Sequence, residues 1–188
     1  EALQSIVPNE DTDISKIVKL SFEKRGIKIK NSSALKSVTT KENSVSAEII
    51  TNEKVETINS EKLILAIGII ANTEKLGLKD FNVKIDKGHV VTNEFLETDE
   101  KGVYAIGDIT DGPWLAHKAS HEGILCVEKI AGHKNLKPID KTSIPGCTYC
   151  RPQVASIGMT EIQARSKNLN LKIGKFPFSA SGKASAAG

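Results

Sequence analysis

The chain has 188 residues, of which 39% are apolar and 26% charged, so it can bury the core of one ordinary domain or of two small ones. Its net charge of +3 comes from lysines scattered among acids and only 4% of its residues are aromatic, which argues against nucleic-acid binding. No apolar run approaches a membrane span, and the first residues lack the basic start and apolar middle of a signal peptide, so we expect no membrane association.

The first predicted element is a helix that begins near Asp11, Thr12 or Asp13 and ends at Gly26. Its apolar face comprises Ile14, Ile17, Val18 and Phe22. Residues 26–30, 45–50 and 55–58 then alternate apolar and polar side chains, with polar turns at 41–43 and 52–53. This alternation predicts a small antiparallel β-meander.

Residues 63–68 are apolar on both faces, which predicts a central strand covered on both sides. Gly68 ends this strand and leaves room for a cofactor or a backbone to approach. Further along, residues 103–106 form a short apolar run that ends at Gly107 and Asp108. The run predicts a buried strand with a carboxylate at its carboxyl end, where open α/β sheets bind ligands.

Asp108 has two interpretations. An ionised carboxylate only accepts hydrogen bonds, so a sugar-like hydroxyl is a suitable partner. Alternatively, Asp108 caps the next helix, which the pattern predicts from Ala116 to about His133 with a face of small residues. Such a face permits close packing on a sheet or a cofactor.

The last part of the chain begins with a linker bracketed by Pro138 and Pro145. A strand is predicted at residues 154–158 and a second strand at 171–178. Between them, Thr160 with Gln163 three residues later is typical of a helix start.

Three cysteines, an odd number, argue against a disulfide framework and favour a reducing, cytoplasmic compartment. Cys147 and Cys150 form a C-x-x-C pair, which could be a redox couple or half of a zinc site. The chain has no second C-x-x-C, and Pro152 with an extended segment follows where a redox motif needs a helix. Both observations argue against a redox couple and a zinc site, and we expect Cys126 to be a buried apolar residue.

Two histidines, His117 and His121, stand four apart on the predicted helix and could ligate a metal. The zinc-protease motif that begins at His121 fails, because its second histidine would fall at Leu125. We expect a surface histidine at 121 and no metal site. No Ser-His-Asp arrangement or phosphate loop is found in the sequence, so no catalytic residue is assigned.

Residues 98–108 and the Leu115-Ala116-His117 that follows resemble the flavin-closing motif of the pyridine nucleotide-disulfide oxidoreductases, the flavoprotein family of glutathione reductase and mercuric reductase. The resemblance extends over the whole chain, and the Gly-Lys-Phe-Pro-Phe at 174–178 is most similar to the dihydrolipoamide dehydrogenase members. It implies an α/β fold, part of a flavoprotein with two dinucleotide-binding domains. Residues 1–70 would be the second part of a Rossmann-like NAD domain with the β-meander, 71–140 an FAD-contacting central segment, and 141–188 the truncated start of an α+β interface domain.

The resemblance also implies cofactor-binding residues for FAD and NAD. Asp108 would accept a hydrogen bond from the ribityl chain of FAD. Four residues would border the flavin, the last three at its pyrimidine end: Trp114, Leu115, Ala116 and His117. Toward NAD, Glu1 would accept from the ribose hydroxyls, Ala34 would lie near the adenine and Gly68 beside the nicotinamide half. The resemblance also implies that Cys147 and Cys150, at the entry to the interface domain, serve packing. The chain departs from the family at Ile69-Ile70, where arginines and a proline are usual, and at Arg151, where histidine is usual.

In the dihydrolipoamide dehydrogenase members, electrons pass from a dihydrolipoyl thiol to a redox cysteine pair, then to FAD, then as hydride to NAD. The resemblance therefore implies part of a homodimeric flavoprotein that oxidises dihydrolipoyl groups and serves the lipoyl-bearing components of 2-oxo-acid dehydrogenase complexes. Because the redox cysteines, the flavin fingerprint, the NAD glycine loop and the His-Pro base segment have no counterpart here, we expect a middle fragment that is inactive alone. The alternatives are another flavin disulfide reductase or an NADH oxidase of the same fold, and a non-catalytic module that only binds a partner or associates with itself.

Overall fold

The computed structural model describes residues 1–187. In chain order its helices and strands are α1 (Thr12–Lys24), β1 (Ser33–Lys41), β2 (Ser44–Thr51), β3 (Lys54–Ser60), β4 (Ile85–Asp86), β5 (His89–Val90), α2 (Ala116–Ile130), β6 (Gly146–Thr148), β7 (Val154–Ser156), α3 (Glu161–Ser166) and α4 (Gly182–Ala187). Within these residues no helix is both long and apolar enough to cross a membrane.

Helix α1 confirms the first prediction, and Gly26 with φ +86° follows its end. Val18 is fully buried, whereas Ile17 is more than half exposed, so only part of the predicted apolar face is covered. Asp11 occupies the N-cap position, but its carboxylate does not cap α1. It accepts a hydrogen bond from the backbone N–H of Glu161 at 2.7 Å, which ties α1 to the start of α3.

Two further contacts join the region of α1 to the last part of the chain. The hydroxyl of Ser156 donates to the carboxylate of Glu10 at 3.1 Å, and the hydroxyl of Ser21 donates to the carbonyl of Arg151 at 3.3 Å. Glu10, Asp11 and Ser21 therefore connect the region of α1 to residues 151–161.

The meander is a three-stranded antiparallel sheet in the order β1-β2-β3. The predicted turns at 41–43 and 52–53 are confirmed, and Asn52 and Glu53 both have positive φ, as tight hairpin turns require. The prediction of a first strand at 26–30 is wrong. Ser32 and Ser33 donate their N–H groups to the carbonyls of Leu3 and Glu1, and the pairing of β1 with β2 begins at Ser33.

Three other predicted strands, at residues 63–68, 171–178 and 103–106, are wrong. Residues 63–68 belong to none of the sheets among residues 1–187, and Ile64 and Ile67 are 88% and 86% exposed. A strand that is apolar on both faces needs a neighbour on each side and a layer on each face, and the described residues supply neither. Residues 171–178 are also irregular, because the short β6–β7 sheet does not extend to them.

Residues 103–106 are extended but are not a buried strand. Tyr104 forms an isolated bridge with Glu97, and the N–H of Ala105 donates to the carbonyl of Leu96 at 3.0 Å. Ala105 is buried, whereas Val103 and Ile106 are partly exposed. The pairing with residues 96–98 replaces the sheet that the apolar run predicts.

Helix α2 confirms the predicted helix, and Gly132 follows its end. Leu125 and Cys126 on α2 pack against Leu96 to form the central apolar cluster. Partly buried side chains surround this cluster: Phe95, Tyr104, Leu136 and Ile139. The cluster packs the carboxyl-terminal half of α2 against Phe95 and Leu96.

The predicted strand at 154–158 is observed as β7, which pairs with β6, and the predicted start of α3 is confirmed. The hydroxyl of Thr160 accepts from the N–H of Gln163, and the amide of Gln163 accepts from the N–H of Thr160, so both halves of a capping box are present.

Candidate functional site

The candidate site is built on a single 3-10 turn, Gly107–Ile109, that precedes α2. We call it the Gly107 turn. Gly107 is buried and has φ +78°, a left-handed backbone conformation that glycine adopts without a steric cost. A Cβ on Gly107 would lie 3.5 Å from the Cβ of Ala119, so the small-residue face of α2 lets the turn approach the helix closely.

Lys118 lies under this turn with only 2% of its surface exposed. Its ammonium donates to the carbonyl of Gly107 at 3.0 Å and to the hydroxyl of Thr110 at 3.1 Å, and it lies 3.1 Å from a carboxylate oxygen of Glu122. These three partners match the three donors of a lysine. The aliphatic stem packs against Gly112, where a Cβ would lie 3.0 Å from Lys118 Cε.

Glu122 is 4% exposed and completes the arrangement. Its second carboxylate oxygen accepts from the N–H of Gly107 at 2.7 Å. One oxygen therefore faces the ammonium of Lys118 and the other faces the backbone of the turn. Both charges are buried, and each has its opposite charge and a hydrogen-bond partner, as buried charges require.

Asp108 follows Gly107 and is exposed. Its alternative role as the cap of α2 is wrong, because Leu115 occupies the N-cap position of that helix and no side chain caps it. The structure thus leaves the carboxylate on the surface of the turn, where it can accept hydrogen bonds from a ligand.

The residues next to the start of α2 border a groove of about 540 Å³. Trp114 and Leu115 line it together with residues from the last part of the chain, among them Thr148, Gly158 and Met159. The indole of Trp114 meets the ring of His89 edge to face, with centroids 5.9 Å apart.

Ala116 and His117 are exposed on the first turn of α2. His117 Nε2 lies 2.9 Å from the carbonyl of Pro145, which ties this turn to the linker that precedes β6. His121 is exposed on the next turn of the same helix.

The residues assigned to NAD lie in the amino-terminal part. Glu1 and Ala34 are close in the fold, because the carbonyl of Glu1 accepts from the N–H of Ser33 at 3.0 Å. The carboxylate of Glu1 accepts from the N–H of Leu3 at 2.9 Å. Gly68 has φ +135° and open space where a Cβ would be.

The C-x-x-C pair does not form a metal centre within residues 1–187, where no group of three or more His, Cys, Asp or Glu side chains could hold an ion. Both thiols are free. Cys150 donates to the carbonyl of Pro152 at 2.9 Å, whereas Cys147 is exposed, so the expected packing role is wrong for Cys147. Cys126 is buried as expected, and burial raises the pKa of its thiol.

Lys118 and Glu122 are not predicted from the sequence as residues of the site. An i,i+4 pair of opposite charge on a helix usually marks a solvated face. The available signal was their position, because Leu125 and Cys126 follow on the same face of α2 and are buried. A charged pair that continues an apolar face indicates buried charges with a specific partner.

Comparison with known proteins defines the class. Residues 1–123 match the family described as pyridine nucleotide-disulphide oxidoreductase, and residues 144–188 match the dimerisation domain of the same family. The chain belongs to the pyridine nucleotide-disulphide oxidoreductase family.

Its curated relatives include three bacterial proteins named dihydrolipoyl dehydrogenase. Those of Rhizobium etli and Zymomonas mobilis are each 46% identical over the whole chain, and that of Bacillus subtilis is 41% identical over 98% of it. The chain spans 39%, 41% and 39% of the lengths of these relatives.

Solved structures show the same fold. LpdA from Mycobacterium tuberculosis matches with a TM-score of 0.88 at 22% identity, over 99% of this chain and 40% of that one. The HOCl-induced flavoprotein disulfide reductase RclA from Escherichia coli matches with a TM-score of 0.86 at 21% identity, over 100% of this chain and 42% of that one. The fold is therefore α/β, as the sequence resemblance implies.

Proposed function

We propose that this chain is part of a dihydrolipoyl dehydrogenase, which oxidises dihydrolipoyl groups to lipoyl groups through a redox disulfide and FAD, with hydride transfer to NAD. The observation that carries the proposal is the 46% identity, over the whole chain, to relatives of that name. The part of the activity assigned to this chain is the binding and orientation of the cofactors.

The proposed FAD site is the surface formed by the Gly107 turn and the start of α2. FAD supplies the two-electron redox chemistry when it is bound. The exposed carboxylate of Asp108 is suited to accept hydrogen bonds from a chain of hydroxyls, because an ionised carboxylate has only acceptors. Trp114 and Leu115 supply an apolar wall, and the exposed first turn of α2, with Ala116 and His117, supplies backbone N–H groups.

The proposed NAD contacts are Glu1, Ala34 and Gly68. The closeness of Glu1 and the start of β1 supports a shared ligand, and the open space beside Gly68 permits a close approach. We further propose the domain division 1–70, 71–140 and 141–188. The two family matches, to 1–123 and 144–188, support a boundary between their ends.

The match of residues 144–188 to a dimerisation domain supports a homodimer. We propose lipoyl-bearing components of a 2-oxo-acid dehydrogenase complex as its partners, since these carry the substrate named in the relatives. The three free thiols support a reducing compartment such as the cytoplasm.

A chimaera tests the proposal. The matching 39% of the Rhizobium etli dihydrolipoyl dehydrogenase is replaced by this chain, and the purified protein is examined for bound FAD and for reduction of NAD by dihydrolipoamide. We expect a yellow, active enzyme. Asp108→Ala should lose most of its FAD, whereas Asp80→Ala, an acid in another 3-10 turn (Leu78–Asp80), should retain it. A folded chimaera that binds FAD but does not oxidise dihydrolipoamide would contradict the proposed substrate.

A further inference from the structure

We infer that Lys118 and Glu122 are positioning residues for the flavin: they hold both backbone polar groups of Gly107 and so fix the direction in which Asp108 presents its carboxylate. We call the two side chains and the backbone of Gly107 the Gly107 clamp. The inference rests on the proposed function for its ligand, FAD, whereas the clamp itself is a property of the fold.

The geometry supports a role directed at the turn. Glu122 accepts from the N–H of Gly107 at 2.7 Å, and Lys118 donates to the carbonyl of the same residue at 3.0 Å. The hydroxyl of Thr110 donates to the carbonyl of Gly107 at 2.7 Å, and the backbone N–H of Thr110 donates to the same carbonyl at 3.0 Å. One glycine therefore has its donor and its acceptor satisfied by two buried, oppositely charged side chains of a single helix.

The effect on Asp108 follows from the covalent structure of the chain. The carbonyl of Gly107 belongs to the planar peptide unit whose nitrogen is that of Asp108. When Lys118 and Thr110 hold this carbonyl, they hold the plane from which the Asp108 side chain projects. The left-handed φ of Gly107, +78°, gives the chain its turn at that point, and the clamp keeps the glycine from its other accessible conformations.

Helix stability does not explain the pair. Lys118 lies in the first turn of α2, where the positive end of the helix dipole disfavours a cation. Glutamate before lysine is the better order for an i,i+4 pair, and here lysine comes first. Burying two charges is also costly compared with apolar residues of the same volume. The pair is placed for the turn that it contacts.

The test compares Lys118→Met and Glu122→Gln with Leu125→Ala. Leu125 is buried on the same helix and packs in the apolar cluster, so its truncation weakens the fold without touching the clamp. The first readout is amide hydrogen exchange at Gly107 and Thr110 in the full chain. The second readout is the dissociation constant of FAD for the chimaera, measured by flavin fluorescence.

We expect both clamp variants to exchange the Gly107 amide at least about tenfold faster and to bind FAD at least about tenfold more weakly, because a loosened support displaces the contacting group. Leu125→Ala should change the FAD dissociation constant by less than about twofold. A thermal melt of each variant, followed by circular dichroism, verifies that the comparison is made on folded protein.

The outcomes are distinguishable. Unchanged exchange at Gly107 in both variants would overturn the clamp, whatever the flavin does. Faster exchange with unchanged FAD affinity would overturn its positioning role. If the unmutated chimaera folds and does not bind FAD, the proposed function fails and the positioning of Asp108 for a flavin fails with it, while the exchange result still decides whether the clamp exists.

Discussion

The ammonium of Lys118 donates a hydrogen bond to the carbonyl of Gly107, eleven positions earlier in the chain, at 3.0 Å. This contact makes the Gly107 turn and the first turns of α2 one structural unit. Because the ammonium has three partners inside the protein, it does not need water, which is consistent with its 2% exposure.

Removing one charge of the pair should destabilise the chain strongly. Lys118→Met leaves the carboxylate of Glu122 buried without its partner, and we expect a loss of about 3–5 kcal/mol in the free energy of unfolding. The double variant Lys118→Met/Glu122→Leu should lose less, about 1–3 kcal/mol, because only the N–H of Gly107 is then left without an acceptor. Urea denaturation of the three proteins measures both values. A double variant less stable than Lys118→Met would show that the unpaired carboxylate of Glu122 is not the source of the loss.

Two glycines offer a matched comparison. Gly107→Ala should destabilise the chain by about 1–2 kcal/mol, because an L-residue is strained at a left-handed φ. Gly123 lies inside α2, where an added Cβ would meet Ile106 Cδ1 at 3.5 Å, an ordinary contact. Gly123→Ala should therefore stabilise the chain by up to about 1 kcal/mol. Thermal melting of the two variants tests this prediction. Equal changes in melting temperature of the same sign would show that the conformation of Gly107 is not constrained.

The three thiols should react with an aromatic disulfide reagent at different rates at pH 8. Cys147 is exposed and should react first. Cys150 is half-buried and donates its S–H to a carbonyl, so it should be slower. Burial raises the pKa of Cys126, which lowers its thiolate fraction as well as its access, and it should react only after denaturation. Rapid labelling of Cys126 in the native chain, located by peptide mass, would contradict the buried position.

Stability at acid pH should depend slightly on Asp111. A hydrogen bond from Lys141 and its positive charge lower the pKa of this carboxyl below its ordinary value, with Lys141 Nζ 2.9 Å from Asp111 Oδ2. A lowered pKa in the folded state contributes stability above the unfolded pKa, and this contribution disappears as the pH falls through the folded pKa. Both side chains are largely exposed, so the effect is small.

The variant Lys141→Ala tests this cause, because removal of the ammonium should raise the pKa of Asp111 toward its ordinary value. Carboxyl-carbon NMR titration measures the shift. Asp140 is the internal control, because the donors that lower its pKa are Ser143 and Thr142 rather than Lys141. A pKa of Asp111 that does not move would show that the ion pair is not formed in solution.

The sequence predicted the elements whose signals are local. Helix α1 is marked by its periodicity and by Gly26, the hairpin turns by their polar residues, and α3 by the reciprocal pair Thr160 and Gln163. Each of these is stabilised by groups within a few residues of one another. The groove beside Trp114, in contrast, is also lined by Gly158 and Met159, which are distant in the sequence.

The wrong strand predictions share one cause, because a strand depends on a neighbouring strand that its own residues do not reveal. Residues 63–68 and 171–178 have the composition of strands, but a strand forms only where another strand lies beside it. The buried pair Lys118 and Glu122 was missed for a related reason. Charge spacing on a helix does not reveal burial, which here depends on the Gly107 turn folding over the helix.

The contacts of α1 with the end of the chain set an order of events during synthesis. Asp11 accepts from the N–H of Glu161, 150 positions later. At about 5–20 residues per second, roughly 8 to 30 seconds pass on the ribosome between the appearance of the two residues. Throughout that interval the carboxylate of Asp11 lacks its partner in the folded chain and is hydrated. The hydrogen bond that ties the start of α1 to the start of α3 therefore forms late in the synthesis of these residues.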